Sequence, residues 1–312
     1  MAFRHQSVLK RECVDALVAG RTASGLRFID GTFGGGGHSR LLLETLPGSE
    51  VLGIDCDDMA IEAAGPLLEE FKGRLTLRKG RFSQMRLFMN ELGWTGVDGI
   101  LLDLGVSSPQ IDTAERGFSF RMDGPLDMRM DNSAGRTAAD LLNSLDEKEL
   151  ADLFFKYGEE RKSRAVARAV VARRERWPWQ RTSEFNDLLE RIVGRGGQHG
   201  LPPATRCFQA LRIAVNDELG ELERALESSR DILNTKGRLV VISFHSLEDR
   251  LTKQFMLREA ATCVCPPGLP ICVCGKVKTF EIITRKPVVA SDVEMETNRR
   301  ASCAKMRCAE RV

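Results

Sequence analysis

Apolar residues fall in short blocks along the first third of the chain. Runs of strand length at 26–30, 51–55, 74–78 and 97–104 are separated by stretches at 38–46, 58–71 and 84–93 with helical character. Strands alternating with helices predict a parallel sheet with helices on both faces, because parallel neighbours need a long crossover. The run Val97-Asp98-Gly99-Ile100-Leu101-Leu102-Asp103 is mostly apolar, as a strand buried on both faces requires. After Gly105 the rhythm stops. Residues 106–135 are rich in Ser, Pro, Gly and Asp and predict an ordered loop with little regular structure. From 137 to 193 the period is helical, carried by Leu141, Leu142, Leu145, Leu150, Leu153 and Phe154. A glycine-rich stretch ending in two prolines, 194–203, reads as a hinge or loop. One helix is expected from about 204 to 233, then a strand at 238–243, a Cys-rich loop, and a last strand at 280–284. The expected architecture is α/β, a doubly wound Rossmann-like sheet built from 1–111 and 206–312. A helical insertion at 112–205 interrupts it and serves substrate recognition.

The turn after the first strand reads Asp30-Gly31-Thr32-Phe33-Gly34-Gly35-Gly36-Gly37-His38. Bare backbone lets a ligand approach closely, and the following helix aims unpaired N–H groups and a positive dipole end at it. The second strand ends in Asp55, placed to accept hydrogen bonds from ribose hydroxyls. Together they mark a nucleoside site. A phosphate-binding NTPase loop would end Gly-Lys-Ser/Thr, and this one ends Gly37-His38-Ser39. A dinucleotide fingerprint matches only because glycines are so many. An acid at the head of the turn suits the ammonium and sulfonium of S-adenosylmethionine (SAM) and would repel a pyrophosphate. SAM, NAD and a purely structural turn all stay open on these residues.

Composition narrows the class. The chain has 312 residues, 42% apolar and 29% charged, with a net charge of +2, so nucleic-acid binding would need a local patch. Met1 to Gln6 carries no apolar signal core and no stretch approaches a membrane span, so a cytoplasmic location is expected. Nine cysteines then read as reduced thiols or metal ligands. Cys263, Cys265, Cys272 and Cys274 bracket a Pro/Gly turn and suit either a tetrahedral zinc knot or plain thiols, C-x-C being tighter than the usual C-x₂-C. No metal is assigned to the reaction.

In open α/β sheets ligands sit at the carboxyl ends of the strands. Asp30, Asp55, Phe82 and Asp103 belong there, Phe82 as a stacking surface for adenine or as a core residue. Ser108-Pro109-Gln110 after the fourth strand is a degenerate form of the Asp/Asn/Ser-Pro-Pro-aromatic motif that amino-group methyltransferases use to hold a substrate NH₂. His245 follows the fifth strand and suits a substrate contact or a structural hydrogen bond. Residues 161–181 hold eight Lys/Arg with Trp177 and Trp179, a pattern for phosphate contact and base stacking or for a solvated helix face. Arg299, Arg300, Lys305, Arg307 and Arg311 pose the same choice.

Longer strings carry a resemblance. They are Asp30-Gly-Thr-Phe-Gly34 with Gly36-Gly-His-Ser-Arg40; Asp98-Gly-Ile-Leu-Leu-Asp103-Leu-Gly-Val-Ser-Ser-Pro-Gln110; and Glu115-Arg-Gly-Phe-Ser-Phe120 with Asp123-Gly-Pro-Leu-Asp-Met-Arg-Met-Asp131. Tyr157-Gly-Glu-Glu-Arg161, Ala204-Thr-Arg206 with Phe208-Gln-Ala-Leu-Arg-Ile213, and Ile242-Ser-Phe-His-Ser-Leu-Glu-Asp-Arg250 complete the set. The chain resembles the MraW family of ribosomal RNA methyltransferases over nearly its whole length. That resemblance implies SAM-dependent methylation of the exocyclic N4 amine of cytosine 1402 in 16S rRNA of the small ribosomal subunit. It implies a SAM site of Gly36, Gly37, His38, Asp55, Phe82, Asp103 and Gln110. Asp103 and Ser108 are the expected polar pair at the amine, and Phe118 or Phe120 a clamp for the base. The rival readings are an RNA-binding ribosome-assembly factor with a vestigial SAM pocket and an NAD oxidoreductase. A homodimer is compatible with the sequence, which does not decide the oligomeric state.

Overall fold

The computed structural model describes residues 7–194, 202–266, 271 and 273–312, so most of the expected hinge and Cys272 lie outside the described residues. The chain folds as two units, Met1–Gly105 with Leu219–Val312, and Val106–Glu218. The insertion expected over 112–205 falls within the second.

The first unit is built on a seven-stranded sheet of β1 (Arg27–Asp30), β2 (Glu50–Asp55), β3 (Leu75–Lys79), β4 (Val97–Asp103), β5 (Leu233–Ser243), β6 (Phe280–Ile282) and β7 (Lys305–Arg311), in the order β3-β2-β1-β4-β5-β7-β6. The first five run parallel, and β7 is antiparallel to both its neighbours. Adjacent residues of a strand face opposite sides. Phe28 therefore packs with Leu17, Leu43 and Leu67 on one face, and Ile29 with Met85, Leu102, Leu226 and Phe255 on the other. Both faces are covered, which is why β4 reads as an apolar run.

Several expectations change. The helix expected over 58–71 is two, α3 (Asp58–Ala63) and α4 (Gly65–Glu70), with Pro66 in the first turn of the second. Proline disfavours helical backbone in the residue before it and lacks an N–H, so the chain restarts a helix there. The Asp57 side chain accepts the Met59 N–H at 3.0 Å to cap α3. The helix expected over 204–233 is also two, α11 (Pro203–Asn216) and α12 (Glu218–Ile232), parted by Asp217 in the left-handed region at φ 53°. A helix at the start, α1 (Lys10–Val18), was not foreseen.

Nor was β7. Its basic residues at 305, 307 and 311 posed the choice between phosphate contact and a solvated face, yet Met306, Cys308 and Ala309 are buried in the sheet. Arg307 is itself buried and donates to Asp249 at 2.6 Å. Arg311 donates to the Arg230 and Thr279 carbonyls. These two arginines hold the fold together instead of presenting a phosphate-binding surface.

The second unit is helical. Its elements are α6 (Ser108–Asp112), α7 (Ala138–Ser144), α8 (Glu147–Gly158), α9 (Ser163–Arg174), α10 (Thr182–Val193) and α11. Their apolar faces meet around Phe154, Trp179, Phe185 and Phe208. The backbone of α11 approaches α8 closely: a Cβ at Gly158 would stand 2.7 Å from the Arg206 carbonyl oxygen. Trp179 is core, with its indole N–H on the Val170 carbonyl and the Arg173 guanidinium 4.0 Å over its ring. Trp177 is 63% exposed, and so are Arg161, Arg164, Arg168 and Arg176 beside it in sequence. Of the expected RNA-facing stripe, Arg174 instead closes the Leu142 and Leu145 carbonyls. Phe120 sits edge-on to Phe208 and so anchors its loop.

Candidate active site

Strand order decides where the chemistry gathers. β2, β1 and β4 are neighbours, and each ends in an aspartate: Asp55, Asp30 and Asp103. The turn after β1 is stitched across all three strands. Gly31 donates to the Leu101 carbonyl at 2.9 Å, and Phe33 to that of Ile54 at 2.9 Å. The turn then enters α2 (Gly37–Thr45) through Gly36, whose φ of 69° a side chain rarely adopts.

The glycines have a different reason from the one expected. A Cβ on Gly36 would run into Leu67 and Phe33, and one on Gly37 into Ser7. Room freed by the missing side chains is therefore filled by the protein itself. What the turn leaves for a ligand is backbone N–H groups at the start of α2.

Asp55 is held by two amides, Gly34 to Oδ2 at 2.7 Å and Asp57 to Oδ1 at 2.9 Å. The carboxylate is acceptor-only, so it can take a further donor from a ligand. Burial pushes this carboxyl up to about 6 against the pull of the amides. Asp30 is likewise pushed up to about 6 by burial, although Ser39 Oγ donates to it at 2.7 Å and so ties the turn to α2.

Asp103 is the least satisfied. Its backbone N–H donates to Thr32 Oγ1 at 2.6 Å, but its Oδ1 is buried with no hydrogen-bond partner among the described residues. Its Oδ2 lies 3.8 Å from His38 Nδ1, beyond hydrogen-bond range. His38 Nε2 stands 3.1 Å from the Val8 carbonyl, which accepts only if that nitrogen carries the proton. Burial, then the charges of Asp30 and Glu248, drive the Asp103 carboxyl well above its ordinary range. Glu248 was not anticipated. It is buried, accepts the Phe244 N–H at 2.8 Å, and lies 3.2 Å from His245 Nε2. In sequence it is an ordinary capping acid of α13 (Ser246–Ala260). His245 precedes that helix as its N-cap.

Phe82 opens a 3₁₀ turn after β3, half-buried, with its Cβ 3.1 Å from where a Cβ on Gly31 would stand. It thus lies beside the turn at the carboxyl end of the sheet. Ser108 and Gln110 belong to the helical unit. Ser108 is the first residue of α6, and the buried Gln110 side chain accepts the Ser107 N–H at 3.0 Å.

These residues can be tested against SAM. A carboxyl group with an orphaned acceptor, in company with two others raised by burial, calls for a donor-rich or cationic ligand and repels an anionic one. Asp55 is an acceptor at the end of β2, of the kind that vicinal hydroxyls require. A nucleoside bearing positive charge fits; a pyrophosphate does not.

Residues 2–312 match the MraW methylase family. The chain is 50% identical to the ribosomal RNA small subunit methyltransferase H of Geobacter sulfurreducens, with 100% of both chains covered. The protein of that name from Heliobacterium modesticaldum is 48% identical, again with 100% of each covered. That from Syntrophotalea carbinolica is 49% identical over 99% of this chain and 98% of the relative. Identity at this level leaves no part of the sheet or of the helical unit outside the match, and the chain belongs to the MraW methylase family.

Proposed function

We propose that this enzyme methylates the N4 amine of cytosine 1402 in 16S rRNA of the small ribosomal subunit, using SAM. The single feature that carries the chemistry is the buried Oδ1 of Asp103 at the end of β4, which has no partner among the described residues. The relatives, named for small-subunit RNA methylation, supply the substrate class.

When bound, SAM supplies an electrophilic methyl group on a sulfonium. Gly36, Gly37 and His38 at the start of α2, with Phe82 and Asp103, form its seat, and Asp55 takes the ribose hydroxyls; the family resemblance adds Gln110 of the helical unit. Cytosine N4 is a poor nucleophile because its lone pair is delocalised into the ring. Asp103 accepts a hydrogen bond from the amine; for the second, Ser108 is the acceptor that the Ser108-Pro109-Gln110 sequence pattern offers. This holds the lone pair toward the methyl group and stabilises the positive charge that grows on nitrogen. The exposed Arg161, Arg164, Arg168, Arg176 and Trp177 provide contacts for RNA phosphates and an unstacked base. Among the described residues no helix is long and apolar enough to cross a membrane.

Mass mapping of 16S rRNA from cells lacking the gene tests the reading. N4 methylation at position 1402 should vanish and return on complementation. An unchanged methylation pattern would refute the assigned target, and failure of purified protein to transfer labelled methyl to RNA would refute the enzyme itself.

The raised carboxyls set a pH dependence. A cationic ligand needs Asp30 and Asp55 ionised, and both titrate near 6 without it. Below 6 the ligand must displace protons. SAM affinity by calorimetry should therefore weaken as pH falls through 6, by up to about tenfold per pH unit for each carboxylate. The stability of the free protein runs the other way. A carboxyl raised in the folded state binds protons that the unfolded chain releases, so its contribution declines as pH climbs from about 4 to 6.

A further inference from the structure

Between α13 and β6 the chain crosses residues 261–279, and the described part of this stretch holds no helix or strand. Loops this long are uncommon in a compact domain unless something fixes them. Burial does not do so here: Val264, Ile271, Val273 and Val277 are 56%, 74%, 78% and 73% exposed. The far end is anchored on α13, where the buried Glu259 takes Lys276 Nζ at 3.1 Å and Thr279 Oγ1 at 2.6 Å.

What the middle of the stretch brings together is sulfur. The Sγ atoms of Cys263, Cys265 and Cys274 all lie within 4.8 Å of one another, and those of Cys263 and Cys274 are 3.9 Å apart. Tetrahedral zinc with Zn–S bonds of about 2.3 Å separates its sulfurs by about 3.8 Å. The Val264 amide donates to Cys274 Sγ and the Cys265 amide to Cys263 Sγ, both at 3.4 Å. Such bonds favour the thiolate, the form that ligates metal. Gly275, at φ 60°, lets the chain turn immediately after the last of the three thiols. No carboxylate occurs between 261 and 280, so the donor set is soft and excludes magnesium or calcium in favour of zinc.

We infer that Cys263, Cys265 and Cys274 bind a zinc ion that fixes this loop, whose described valines and isoleucine are left exposed. Three thiolates occupy three tetrahedral positions and leave one for a further donor. Binding releases the thiol protons, and its free energy orders the loop ahead of the edge strand β6. The site is structural and independent of the methyl-transfer reading.

The full chain, purified with reductant and without chelator, should carry about one zinc per molecule by plasma mass spectrometry. Cys263→Ser and Cys274→Ser should each lower that occupancy by about tenfold or more, while Cys303→Ser, at an exposed thiol outside the cluster, should not. Cobalt loaded instead of zinc should show sulfur-to-metal charge transfer and tetrahedral visible bands, both lost in the serine variants. A second measurement needs no variant: in the wild-type chain a chelator should release zinc and expose Cys263, Cys265 and Cys274 to alkylation while leaving the reactivity of Cys303 unchanged. Absence of zinc, zinc retained by the Cys263→Ser/Cys274→Ser double variant, or a Cys263–Cys274 disulfide under the same reducing conditions would overturn the inference.

Discussion

Replacing Asp103 by Asn should lower kcat/KM for methyl transfer to small-subunit RNA by about a thousandfold and leave the melting temperature unchanged or raised. The two effects have one cause. Asp103 holds a carboxylate in a buried position, near Asp30 and Glu248, with one oxygen lacking any donor among the described residues. Asparagine keeps the shape and removes the ionisable group that burial and the charges of Asp30 and Glu248 disfavour, so the free protein loses a costly carboxyl. The proposed transition state loses the acceptor that faces the growing positive charge on nitrogen. Single-turnover transfer of labelled methyl, read beside thermal melts of both proteins, separates the outcomes. A variant that turns over at near the wild-type rate removes Asp103 from the reaction. Equal loss of stability and activity would make it a structural residue.

Asp55→Ala should weaken SAM binding by about ten- to a hundredfold, because charge-assisted hydrogen bonds to the ribose hydroxyls go with the carboxylate. It should also cost about 1–3 kcal/mol of stability, since the Gly34 and Asp57 amides lose their acceptor. Asp55→Asn separates the two. Its amide oxygen can still take one backbone N–H, so stability should return further than affinity does. Calorimetric titration with SAM, together with denaturant melts, reads both. Wild-type affinity in the alanine variant would place the sugar elsewhere.

The parallel sheet could be read from the sequence because period and length are local signals. Apolar runs ending in Asp30, Asp55 and Asp103 fall at 27–30, 50–55 and 97–103, within a residue or so of where patterning puts them. Helix breaks were less legible. The left-handed turn at Asp217 leaves the apolar spacing on either side intact, so periodicity passes over it. β7 was missed because its alternating charges are partnered only in three dimensions, Arg307 by Asp249 and Arg238 by Glu310 across the β5–β7 pairing. Trp179 was placed among RNA-facing aromatics for the same reason. A tryptophan beside arginines reads alike whether the guanidinium stacks on it as a lid, as Arg173 does, or awaits a base.

The sequence by itself determined the strand–helix alternation, the acid at the end of β1, β2 and β4 and the glycine turn, because each follows from residue chemistry within a few positions. It also carried the family resemblance, since strings of that length are not shared by chance. Only the tertiary structure decided that β2, β1 and β4 lie side by side, so that burial raises three carboxyls far apart in the chain, the charge of Asp55 adds to the shift of Asp30 and that of Asp30 to the shift of Asp103, and one oxygen is left without a donor among the described residues. It alone revealed that Gly36 and Gly37 make room for Leu67, Phe33 and Ser7, and that three thiols converge in a loop whose described apolar residues are exposed. Desolvation and close packing arise from neighbours distant in sequence, and no local pattern encodes them.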